Sequence, residues 1–161
     1  MSRKTRLAFR RKREGKTNYK KRLALLKSRT ERLVIRKSNK YITAQIVSYE
    51  PSSDKVILGV SSKELAKLGW KHSAKSLPAA YLTGLLLGKK ASEKKITKAI
   101  LDLGLQTSIP GSRLYAVLKG VVDSGLSVPV SEVVFPPEDR LSGSHISEKV
   151  SKDFETIKTK I

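Results

Sequence analysis

The sequence predicts an α/β protein built on a mixed sheet. The sheet opens as an antiparallel meander, passes into strand–helix alternation and is flanked by helices, with an extended basic N-terminal arm and a C-terminal helical tail. Three observations carry that expectation. Between residues 33 and 60 apolar side chains recur at every second position, the period of strands. From Ser76 to Gly125 the spacing lengthens to three and four, the period of helices that bury one stripe. Residues 1–40 hold 17 of the 34 Lys and Arg side chains but only two acids, Glu14 and Glu31, so the chain begins as an arm and not as core.

Taken in order, residues 1–18 form the arm. Arg3, Lys4, Arg6, Arg10, Arg11, Lys12, Arg13 and Lys16 cannot enter a core, and Leu7, Ala8 and Phe9 are its only apolar cluster. Alone in water such a segment is expected to be disordered. An α/β domain over residues 19–134 begins with a short basic helix from Tyr19 to about Arg29, with Leu23, Leu26 and Tyr19 on one face. Leu33–Ile35 is the first strand, and Ser38-Asn39 supplies a turn. Tyr41–Tyr49 alternates, with Ile42, Ala44 and Ile46 on one side and Tyr41, Thr43, Gln45 and Val47 on the other. After the loop at 50–54, Lys55–Val60 is a third strand that aligns Val56, Leu58 and Val60, completing the meander.

A short helical piece follows at Ser62–Leu68. Ser76 caps a helix reaching about Ala91, with Pro78 in its first turn. Gly84 and Gly88 share one face of that helix, where missing side chains admit another backbone. Ala99–Leu105 is a buried-strand candidate bounded by Gly104. Ser112 caps a second helix, whose Leu114, Val117, Leu118, Val121 and Val122 make one stripe before a stop at Gly125. The tail, residues 135–161, starts with Pro136-Pro137 and a basic Gly/Ser-rich loop from Arg140 to His145. Ile146, Val150, Phe154, Ile157 and Ile161 then line one side of a terminal helix, which docks either on this domain or on a neighbour.

A formal charge of +20 over 161 residues makes a polyanion the leading partner. The chain has no cysteine, which removes disulfides, thiol catalysis and Cys-ligated zinc. No membrane partner is expected, because the longest apolar stretch, Leu77–Gly88, is too short to span a ~30 Å hydrocarbon layer. The N-terminus lacks the apolar segment of a signal peptide, and a cytosolic protein is expected. Catalysis finds no support. His72 and His145 stand alone, without metal-ligand spacing. Gly84–Lys90 has one residue too few between its glycines for a phosphate loop and no Ser or Thr for magnesium. Ser92–Lys95 matches a Ser-x-x-Lys spacing without any accompanying motif, and the acids after residue 40 are scattered. No cofactor and no metal site is expected.

Nucleic-acid binding is the positive signal. Engaging ~6–10 phosphates would give a log–log salt slope of roughly −4 to −9. A flexible Arg-rich arm with Phe9, Tyr19 and Tyr41 interleaved among cations favours RNA, whose bases stack on aromatic rings.

The stretch Phe9-Arg-Arg-Lys-Arg-Glu-Gly-Lys-Thr-Asn-Tyr19 carries a more specific signal. It resembles the arm of the archaeal and eukaryotic large-subunit ribosomal protein that binds 5S rRNA, universal ribosomal protein family eighteen. The likeness continues in order through Tyr19–Lys27, Arg32–Lys40, Leu68-Gly-Trp70, Ala80–Gly88, Leu101–Leu105 and Pro110-Gly-Ser-Arg113. It ends with Asp123-Ser-Gly-Leu126, Arg140 and Gly143-Ser-His-Ile146. After His145 it fades, and the length is nearer the archaeal form.

The resemblance implies a ribonuclease-H-like arrangement without a nuclease site. It also implies a non-enzymatic protein of the cytoplasmic ribosome, monomeric there, in the central protuberance. Its partners would be 5S rRNA, adjacent large-subunit rRNA and neighbouring ribosomal proteins. RNA contacts are then expected at Arg3, Lys4, Arg6, Phe9, Arg10, Arg11, Lys12, Arg13, Lys16, Thr17 and Tyr19 of the arm, and at Arg22 and Lys27 of the helix. Arg36, Lys37, Asn39, Lys40 and Tyr41 would add the first hairpin, Ser112 and Arg113 a helix N-terminus, and Arg140 and His145 the late loop. A free RNA chaperone or ribosome-biogenesis factor is the alternative that composition leaves open.

Overall fold

A computed structural model describes residues 7–51 and 53–161; Arg3, Lys4 and Arg6 lie outside the described residues. The arm carries one helical turn, α1 (Arg10–Arg13), and is followed by α2 (Tyr19–Leu26). The Asn18 side chain accepts the Lys21 N–H at 3.0 Å and so starts α2. The helix stops short of Arg29, which itself turns left-handed at φ 53°; that conformation cannot extend a right-handed helix.

Beyond α2 the alternating segments form the sheet. Strands β1 (Arg32–Lys37), β2 (Ile42–Tyr49) and β3 (Asp54–Ser61) pair antiparallel as a meander. Leu33, Ile35, Ile42, Ala44, Ile46 and Val60 are all buried. The predicted alignment of Val56 with Leu58 and Val60 does not hold. Leu58 faces Ile46 while Val56 faces Val47, leaving Ile57 as an extra residue. Such a bulge switches the strand's alternation, and Val56 ends 51% exposed. Lys94 Nζ donates to the Ile57 carbonyl at 2.9 Å, which satisfies the group that the bulge removes from the ladder.

A 3₁₀ turn at Ser62–Leu68 is held by a capping box between Ser61 and Glu64. Helix α3 (Leu77–Glu93) starts as expected, with Ser76 accepting the Ala79 N–H at 3.4 Å. Strand β4 (Ile100–Asp102) lies parallel to β1 and completes a four-stranded sheet in the order β3-β2-β1-β4. It is shorter than the predicted Ala99–Leu105, because the chain leaves the sheet through Gly104 at φ 61°. Helix α4 (Arg113–Asp123) follows, with Ser112 at its N-cap position. The Ser112 hydroxyl makes no cap hydrogen bond and is buried without a partner.

Helices α3 and α4 cross at glycines. A Cβ on Gly84 would collide with the Val117 carbonyl oxygen, and one on Gly120 with the Tyr81 carbonyl oxygen. Tyr81 adds a hydrogen bond, its hydroxyl donating to Asp123 at 2.9 Å. In the tail, the expected loop at Arg140–His145 is partly helical. Helix α5 (Glu138–Ser142) ends at Gly143, which takes φ 81°. Helix α6 (Glu148–Lys160) buries Val150, Phe154 and Ile157, at roughly 1.5–3 kcal/mol per side chain. The Phe154 ring lies 5.6 Å from that of Tyr81 on α3, so of the two docking possibilities this stripe takes its own domain. Ile146 stays 51% exposed. Among the described residues no helix is long and apolar enough to cross a membrane.

Gly84→Ala should destabilise the protein by about 2–4 kcal/mol, because the obstacle is backbone and cannot rotate away. Gly59→Ala, whose new Cβ would meet nothing closer than 3.5 Å, should change stability by less than about 1 kcal/mol. Urea unfolding of the two variants checks the contrast.

Candidate nucleic-acid interface

The face of the sheet away from α3 and α4 is lined by α2 and the arm; an ion pair ties α2 to the sheet, while the arm's ion pairs are its own. Arg22 on α2 grips Asp54 on β3 with two hydrogen bonds of 2.7 Å each. Asp54 also receives Arg32 of β1 at 2.7 Å. Arg32 reaches Asp102 of β4 at 2.9 Å, and Arg36 reaches the same carboxylate at 3.3 Å and the Asp102 carbonyl at 2.6 Å. Asp102 additionally accepts the Gly104 N–H at 2.8 Å. The result is a continuous row, Arg22–Asp54–Arg32–Asp102–Arg36, across the sheet, in which Arg32 and Asp102 are buried. Hydrogen bonds from Arg22, then Arg32, hold the Asp54 carboxyl down to about 2.

The arm is organised in the same way. Lys16 and Arg10 both bind Glu14, at 2.8 and 2.7 Å, and keep its carboxyl below the ordinary range. Arg11 Nε donates to the Thr17 hydroxyl at 2.9 Å. Gly15 at φ 63° makes the reversal that brings Lys16 and Thr17 back over Arg11. The Phe9 and Tyr19 rings lie 5.2 Å apart at 46°, so two of the three expected stacking aromatics touch each other, although Phe9 remains 72% exposed. Between arm, α2 and sheet lies a cavity of about 310 Å³.

A second group forms at the β1–β2 hairpin. Asn39, Lys40 and Tyr41 share a shallow pocket with Ser73, Ala74 and Lys75. Arg113 at the start of α4 donates to the Lys75 carbonyl at 3.2 Å, which joins that helix to the hairpin group. Arg140 and His145 sit on and just beyond α5, with Gly143 against Pro78 at the start of α3. Lys27 stands apart, at the C-terminal end of α2 beside Arg29 and Tyr49. Among the described residues, Lys12, Arg13, Lys27, Lys37, Lys40, Arg113 and Arg140 have no carboxylate within 4.0 Å.

Sequence reasoning did not single out Arg32, Asp54 or Asp102, nor Lys21 and Lys75. Arg32 falls within the family-like stretch, but nothing in its spacing marks it as buried. Lys75 lies in a polar link without a pattern of any kind.

A self-paired basic arm and a helix ion-paired onto one face of an α/β sheet, with further cations left without acids, define a nucleic-acid-binding protein. The model of the family described as "Ribosomal large subunit proteins 60S L5, and 50S L18" matches residues 3–97 and 89–131. The chain is also similar to "Large ribosomal subunit protein uL18" of Korarchaeum cryptofilum (strain OPF8), at 53% identity over 144 residues, 89% of this chain and 74% of that relative. The chain therefore belongs to this family of large-subunit ribosomal proteins. It is an RNA-binding structural constituent of the large subunit in the cytoplasmic ribosome.

Asp102→Ala should cost about 3–5 kcal/mol, because Arg32 would be left buried without its inner carboxylate. Asp54 gives a pH signature. Its folded value of about 2 lies below the ordinary aspartate value of 3.8, so its contribution is complete well above pH 4 and is lost as pH falls towards 2. Unfolding curves between pH 5 and pH 2 should show a smaller loss for Asp54→Asn than for the wild type.

Proposed function

We propose that the chain binds 5S rRNA and adjacent large-subunit rRNA in the central protuberance and so anchors 5S rRNA to the subunit. The observation that carries this reading is the division of the cations into two sets. Arg10, Arg11, Lys16, Arg22 and Arg36 are engaged within the protein, to Glu14, Thr17, Asp54 and Asp102. Lys12, Arg13, Lys37, Lys40, Arg113 and Arg140 lack such acids and are the groups that phosphates would neutralise. The first set shapes the surface, and the second set brings cations without internal acids to the RNA. Thr17, Asn39 and His145 add polar hydrogen-bonding groups around them, whereas the Ser112 hydroxyl is buried away from any RNA, and Phe9, Tyr19 and Tyr41 add rings for unstacked bases. Arg3, Lys4 and Arg6 would add further charge for phosphates.

The strand order β3-β2-β1-β4, with β1 and β4 parallel, supports the ribonuclease-H-like arrangement implied by the resemblance. The domain division at residues 18 and 134 follows the same reading. Within the ribosome the chain acts as a monomer, with neighbouring proteins as further partners.

Filter binding across a salt series, with 5S rRNA and a same-length control RNA, tests the proposal. The wild type should prefer 5S rRNA, and removal of residues 1–18 should weaken binding and flatten the salt slope. Replacing Lys12, Arg13, Lys37 and Lys40 by Gln should make the slope shallower by about three without altering urea stability. Arg22→Ala should instead lower stability. Equal affinity for the two RNAs would favour a free RNA chaperone.

A further inference from the structure

Beneath α2, three guanidiniums share two carboxylates, Asp54 and Asp102. A cluster at least partly withdrawn from water and one negative charge short is costly unless something supplies that charge. The most weakly paired cation is Arg36, 3.3 Å from its one carboxylate, and Arg32, 3% exposed, keeps an unmet donor in its buried Nε. The cavity of about 310 Å³ opens onto this same cluster, and Arg11, Lys16 and Lys21 add cations around it. An anion entering it would complete the charge balance of the row.

The rest of the wall narrows the choice of anion. Val34, Val47 and Val56 line the sheet side, where the β3 bulge has turned Val56 outward beside Val47. A bare phosphate has no use for such a floor and fills only a fraction of the space, whereas a base or ribose covers it. We infer that this cavity receives one nucleotide of the bound RNA, with its phosphate beside Arg32 and Arg36 and its base against Val34, Val47 and Val56. The inference rests on the RNA-binding reading above and adds to it one recessed nucleotide site on a surface of otherwise open cations.

Nucleoside monophosphates titrated into the full-length protein should produce saturable shifts of the Val34 and Val47 methyl resonances. Inorganic phosphate should bind more weakly and leave those methyls unmoved. Val56→Trp, at a half-exposed position, fills the cavity without changing charge. Leu105→Trp, 54% exposed and also lining the cavity, fills it from another residue. Each should abolish the methyl shifts and weaken 5S rRNA binding about tenfold, with a salt slope shallower by about one. Absence of saturable shifts in the wild type overturns the inference, as does equal binding of inorganic phosphate. RNA binding by both variants that is unchanged or tighter also overturns it. In those cases a retained wild-type preference for 5S rRNA leaves the broader reading standing, while loss of that preference removes the broader reading itself.

Discussion

The row Arg22–Asp54–Arg32–Asp102–Arg36 is the interaction on which the RNA-facing side depends. Helix α2 buries none of its residues, so apolar burial does little to fix its position. Bidentate pairing of Arg22 with Asp54 does so instead. Because Asp54 and Asp102 come from the two edge strands, β3 and β4, and Arg32 and Arg36 from β1 between them, the row also ties the sheet across its width. An apolar interface of the same size could hold a helix, but it would require the surface residues of α2 to change character. An ionic one leaves Lys20, Lys21 and Lys27 on a helix that remains strongly basic.

The other face works by close packing. Gly84 and Gly120 bring the α3 and α4 backbones into contact, and the buried faces of β1, β2 and β3 close the core beneath them. Helix α6 extends that packing through Phe154 against Tyr81. The sheet therefore separates two kinds of cohesion: a dry core with little charge on one side, and a hydrogen-bonded ionic layer on the other. This arrangement lets a chain of net charge +20 fold without burying its excess charge in the core.

Most of the dry side is legible in the sequence. Period-two alternation places Ile42, Ala44 and Ile46 inward, and the Gly84–Gly88 spacing announces a close helix contact. The bulge at Ile57 is not legible, because one inserted residue leaves the composition of β3 unchanged while turning Val56 outward. Strand β4 is overestimated because apolar residues continue past the point where Gly104 turns the chain. The ionic side is harder to read. The density of Arg and Lys shows that a polyanion is expected, but not which cations are already occupied. Arg22 meets an acid 32 residues away and Arg32 one 70 residues away, and only the fold makes those pairs. Ser112 illustrates the same limit, since it stands at the N-cap position and yet its hydroxyl caps nothing.

In the proposed complex the arm and the β1–β2 hairpin group meet the RNA, and helix α6 lies outside the contact. Lysine-reactivity footprinting of the free protein and of its complex with 5S rRNA tests this directly. Lys12, Lys37, Lys40 and Lys75 should lose reactivity in the complex, while Lys152 and Lys160 on α6 keep theirs. Protection of the α6 lysines to the same extent, or unchanged reactivity at Lys12 and Lys40, would contradict this mode of binding.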